Sequence, residues 1–129
     1  MLIFLPRLTL LVKTGEKKHY YVVLTNPAGL TDNESYVVWV SWRSVKKGQY
    51  YDDACVLDDG DHPKIDRRTW VDYSFAEIKP VSEIKRGIAN GAIAQCEPVS
   101  EEVYKRIVAG IRTTRYIDDD VLKFCEQRL

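Results

Sequence analysis

Groups that move protons and hold anions crowd together between Asp52 and Tyr73. A histidine stands at the tip of an acidic turn, Asp58-Asp59-Gly60-Asp61-His62-Pro63. It is one of only two histidines in the chain. An imidazole whose ordinary pKa is about 6.5 takes up or releases a proton near neutrality. Arg67 and Arg68 follow in the same loop, and Thr69 and Tyr73 lie on the next apolar run. A guanidinium holds oxyanions through a planar fork of donors. A fold does not require all of this chemistry on one loop, so a function is expected here first. A second set lies upstream. Lys18 and His19 open one apolar run, and Arg43 and Ser44 close another.

Each of these residues also has a purely structural use. His62 can cap its own turn, with Asp59 or Asp61 against the ring. His19 can be a solvated strand end, and Arg43 can pair with one of the many acids. Trp39, Trp42, Trp70 and Tyr20 can fill a small core or present faces to unpaired bases. Lys46-Lys47 and Arg67-Arg68 are solvated loop charges unless they flank the same groove as His62. Cys55, Cys96 and Cys125 are scattered and lack any C-x-x-C spacing. A disulfide framework or zinc site is therefore not expected, and a reducing cytoplasm is. Asp52-Asp53 lacks the ligand spacing of a calcium loop, and Asp118-Asp119-Asp120 reads as a helix start. No metal or other cofactor is expected.

The elements that must position these groups are mostly strands. Met1 to Arg7 is apolar but short, and Pro6 and Arg7 interrupt it. It reads as a strand entering the core rather than a signal peptide or membrane span. Leu8 to Val12 and His19 to Thr25 are β-prone, with a turn at Thr14-Gly15-Glu16-Lys17. Asn26 to Ser35 reads as a loop. Tyr36 to Arg43 alternates, with Tyr36, Val38, Val40 and Trp42 on one face and Val37, Trp39, Ser41 and Arg43 on the other. Ala54 to Leu57 is a short strand and Thr69 to Lys79 a long one. Past Pro80, Ser82 is placed to cap a helical turn that Gly87 ends. Gly91 to Glu97 suggests a last strand. Ser100 caps a helix with Glu101 and Glu102 in its first turn and a Val103, Ile107, Ile111 stripe. Asp118 to Asp120 opens another, in which Val121, Leu122 and Cys125 face inward. The chain reads as one domain over residues 1–129, mainly β with helices in about 82–129: a small, strongly bent β-barrel. Its nineteen acids balance nineteen bases, which excludes a general basic coat but leaves room for a local basic groove.

The order of these features resembles the PemK/MazF-like superfamily of toxin–antitoxin ribonucleases, and in particular its divergent PemK-like members. The matching pieces are Lys18 to Thr25, Val40-Ser41-Trp42-Arg43-Ser44, the Asp53-x-Cys55-x-Leu57-x-x-Gly60-Asp61-His62-Pro63 stretch, and Thr69-x-Val71-x-Tyr73. They cover roughly residues 8 to 80. The resemblance implies an SH3-like barrel, a homodimer, a cognate antitoxin partner and metal-independent cleavage of single-stranded RNA; that no membrane is a partner is expected from the short, interrupted apolar start of the chain. Typical members carry an Arg-Pro step ahead of the strand that here begins Lys18-His19. The Thr-Ser ending of their next core strand is here Arg43-Ser44.

Metal-free RNA cleavage deprotonates a 2′-OH, stabilises a crowded phosphorane and protonates the 5′ leaving oxygen. The implied catalytic set is His62, His19, Arg43 and Ser44. The implied RNA-binding set is Lys18, Thr69, Tyr73, Arg67 and Arg68. The alternative function is a non-catalytic module that kept the barrel and binds nucleic acid or protein in the groove.

Overall fold

The computed structural model describes residues 6–31 and 33–129. Of the strand expected at Met1 to Arg7, residues 1–5 lie outside the described residues, and Pro6 and Arg7 form a turn. The chain begins with a hairpin, β1 (Thr9–Thr14) and β2 (Lys17–Val23), in register from Thr9↔Val22 to Thr14↔Lys17. Gly15 supplies the positive φ of 61° that this two-residue turn needs. The expected loop at Asn26 to Ser35 contains a short strand, β3 (Ala28–Thr31), which folds onto β4 (Glu34–Ser44). Turn-forming composition hid it. Then come β5 (Val56–Leu57), shorter than expected, and β6 (Thr69–Pro80).

Helix α1 (Val81–Ala89) follows directly, then β7 (Ile93–Cys96), α2 (Glu101–Ile111) and α3 (Asp119–Glu126). Helix α1 departs from expectation at both ends. Pro80 holds the cap position with no side-chain hydrogen bond, and the Ser82 hydroxyl donates to Glu34 Oε2 at 2.7 Å. Gly87 does not end the helix. It sits inside, where a side chain would collide with Ile93. Ser100 caps α2 by accepting from the Val103 amide, and Asp118 caps α3 by accepting from that of Asp120.

The strands form one antiparallel sheet in the order β5-β6-β4-β2-β1-β7, with β3 on β4, and it curls into a half barrel. The bend has a visible cause in the β4–β6 register. Trp39 pairs with Glu77 and Ser41 with Asp72, so Tyr73, Ser74, Phe75 and Ala76 all lie opposite Val40 alone. A bulge of this kind bends and twists its strand. The alternation of β4 divides the core as expected. Val38, Val40 and Trp42 pack with Val103, Ile107 and Ile111 of α2 and with Val121, Phe124 and Cys125 of α3. Val37 and Trp39 pack with Val81 and Ile84 of α1.

Candidate functional site

Strand register brings the first candidate residues together. Tyr21 pairs with Ser41 and Val22 with Val40. The β2–β4 pairing ends there, and Lys18, His19 and Tyr20 line the same groove as Trp42, Arg43 and Ser44. On the other side of β4, Arg43 pairs with Trp70 and Ser44 with Thr69. Directly paired residues point to the same face of a sheet, so Arg43 and Trp70 share one. The loops 45–55 and 58–68 rise around these strand ends and leave a groove of about 380 Å³.

Four basic side chains line it: Lys18, Arg43, Lys46 and Lys64. The acid in the lining, Asp66, is paired with Arg67 at 3.0 Å. His19, Ser44 and Thr69 add polar groups, and Tyr20, Tyr50 and Trp70 add aromatic surface. Trp42 forms the floor, with the Tyr20 ring stacked on it at 5.4 Å and 18°. Burial raises the Tyr20 phenol above its usual range, with the neighbouring Cys96 adding to the effect, so the ring stays neutral. Thr69 donates its hydroxyl to the Arg67 carbonyl at 2.9 Å.

His62 does not reach the groove. It is only 3% exposed, and both ring nitrogens are engaged. Nδ1 accepts from the Lys64 amide at 3.0 Å, which leaves the proton on Nε2 to be donated to the Glu97 carbonyl. The ring packs 5.3 Å from that of Trp42, one layer beneath the groove floor. Its turn is fastened as well. Gly60 takes a φ of 95°, the Asp58 amide donates to Asp61 Oδ2, and Arg106 of α2 grips Asp61 Oδ1 at 2.9 Å. The His-Pro turn thus ties three segments together, and the two-imidazole arrangement expected from the sequence is not formed.

Tyr73 is likewise inside. It is 0% exposed and donates its hydroxyl to the Ile107 carbonyl of α2 at 2.6 Å. Burial pushes its phenol far above the usual range. Arg67 and Arg68 are exposed but stand outside the groove lining. Arg67 is held by Asp66, and the Arg68 carbonyl accepts from the Val45 amide. The structure brings Lys18, His19, Arg43, Ser44 and Thr69 into one groove and leaves His62, Tyr73, Arg67 and Arg68 outside its lining. Lys64 and Tyr50, which sequence reasoning passed over, also line the groove. The signal for Lys64 was its place directly after the His-Pro step.

Burial pushes the Cys55 and Cys125 thiols up to about 11, so neither is a poised nucleophile. Among the described residues no cluster of three His, Cys, Asp or Glu side chains is arranged to hold a metal ion, and no helix is long and apolar enough to cross a membrane. Comparison with known protein families, with curated proteins and with solved structures yields no match.

Proposed function

We propose that this chain is a PemK/MazF-like protein whose groove takes single-stranded RNA. One observation supports this above the rest: four basic side chains and four aromatic rings line a single concavity in a chain of zero net charge. Charge concentrated this way serves an anionic ligand rather than general solubility. Phosphates fit Lys18, Arg43, Lys46 and Lys64, and unpaired bases fit the rings of Tyr20, Tyr50 and Trp70. Each stacking contact contributes about 1–3 kcal/mol. A single strand suits the site because bases already stacked in a duplex cannot reach such rings.

A second reading, cleavage by a toxin-like endoribonuclease, is favoured by His19 lying in the same groove as Arg43 and Ser44. In this scheme His19 takes the 2′-OH proton and returns it to the 5′ leaving oxygen. Arg43 and Lys18 carry the phosphorane charge, and Ser44 donates a hydrogen bond. No metal takes part. The burial of His62 removes the second proton carrier and places binding ahead of cleavage. A homodimer and a cognate antitoxin partner belong to this second reading.

The deciding experiment incubates end-labelled single-stranded RNA with the protein in chelator and low salt. A gel shift without fragments supports the binding module. Fragments that disappear in His19→Ala support the nuclease. Neither shift nor fragments would overturn both.

A further inference from the structure

We propose that Asp72, Ser74 and Phe75 form a cradle that holds Arg43 as a two-pronged phosphate clamp; this rests on the RNA reading above. Asp72 is only 4% exposed, and a buried charge is tolerated only when it is paired and hydrogen-bonded. Its Oδ2 accepts from Arg43 Nε at 2.7 Å. Its Oδ1 accepts from the Ser74 amide at 3.2 Å and the Ser74 hydroxyl at 2.5 Å. The carboxylate is thereby fixed from one side and fixes the arginine from the other.

The β6 bulge supplies the third member. Phe75 lies within it, 52% exposed, with the Arg43 guanidinium 4.6 Å over the ring. A phenyl ring left half in water is explained by the cation it supports. Bulges commonly re-aim side chains beside functional sites.

What remains unused on Arg43 is the informative part. Asp72 engages Nε alone, and among the described residues Nη1 and Nη2 have no hydrogen-bond partner. The side chain is 35% exposed and lines the groove. An arginine needed only to neutralise Asp72 would satisfy it through any nitrogen. An arginine anchored through Nε, with the Nη1/Nη2 edge left open, is shaped to meet two phosphate oxygens side by side. Holding the plane in advance lessens the ordering lost on binding. Asp72 is a positioning residue, since it acts through Arg43 rather than on the RNA.

The test measures anisotropy of a labelled oligouridylate against salt concentration, with melting temperatures in parallel. Wild type, Arg43→Ala, Asp72→Asn and the double variant are compared. The carboxamide of Asp72→Asn keeps an oxygen for Ser74 but turns an N–H toward Arg43 Nε, so the clamp swings free. Asp72→Asn should weaken binding about 10-fold or more, as expected for a hydrogen bond to a charged group. It should also flatten the salt slope by ~0.7, the signature of one lost phosphate contact, and have no further effect in the Arg43→Ala background. Phe75→Leu, an exposed change that leaves the fold intact, should weaken binding more mildly, and it decides the matter if Asp72→Asn melts early. Wild-type affinity and slope in Asp72→Asn and Phe75→Leu, while Arg43→Ala binds poorly, would overturn the cradle and leave the RNA reading standing. No binding by the wild type at low salt would overturn the reading and the cradle with it.

Discussion

Replacing His62 with alanine should damage stability rather than RNA recognition. The ring is 3% exposed, bonded to the Lys64 amide and the Glu97 carbonyl, and packed against Trp42. Alanine removes both hydrogen bonds, at a net loss of about 1 kcal/mol each. It also leaves a void behind the groove floor, for which about 1–2 kcal/mol is reasonable in a site that relaxes in part. The sum is about 3 kcal/mol. For a chain of this length that lowers Tm by roughly 10 °C. Partial replacements sharpen the test. His62→Asn keeps an acceptor near the Lys64 amide, and His62→Gln keeps a donor near the Glu97 carbonyl, so each should recover part of the loss. Thermal unfolding followed by circular dichroism reads the stability, and RNA affinity is measured in the cold, where every variant is folded. An unchanged Tm with collapsed RNA binding or cleavage would return His62 to the site.

A methyl group at position 110 would overlap the Tyr73 hydroxyl. Gly110→Ala should therefore destabilise by about 1–3 kcal/mol through overpacking, and an unaltered melting curve would contradict the packing described. Thiol labelling near neutral pH should modify Cys96 in the native protein, whereas Cys55 and Cys125 react only after unfolding, as mass spectrometry can verify. Folding raises both buried thiols from 9.0 to about 11, so their neutral forms stabilise the fold below pH 9.0 and that contribution disappears as pH climbs through about 11. The Tm of the wild type should fall across this window more steeply than that of Cys55→Ala. Trp70→Ala should weaken binding of single-stranded RNA by about 1–3 kcal/mol, measured by anisotropy. Unchanged affinity would remove Trp70 as a base platform.

Local chemistry made much of the architecture legible. The alternation of Tyr36 to Arg43 divided the two cores correctly, because a strand between two apolar layers must obey a period of two. Ser100 and Asp118 announced their helices, because a capping oxygen works within three residues. What stayed hidden depends on distant partners. His62 is claimed by a carbonyl 35 positions away, and Arg43 by a carboxylate 29 positions away. No spacing rule reaches that far. Composition placed His62 and the paired arginines on one loop, but the direction of that loop is set by Arg106 and Glu97, both in the helical part of the chain or its approach. The β6 bulge, which sets Phe75 beneath Arg43, has no mark in the sequence, since Ser74-Phe75-Ala76 continues the run without a glycine or proline. Helix α1 outran Gly87 because that glycine is required by contact with Ile93 rather than by a helix end.

Every functional role proposed for this chain depends on the groove at the ends of β2, β4 and β6 collecting phosphates. The salt dependence of RNA affinity measures this directly. If Lys18, Arg43, Lys46 and Lys64 each neutralise one phosphate, log Kobs for a single strand should fall against log salt with a slope of about −2.8, and each Lys→Ala variant should flatten it by ~0.7. A slope indistinguishable from zero, or one unaffected by removing these four side chains, would mean that the groove holds no phosphate.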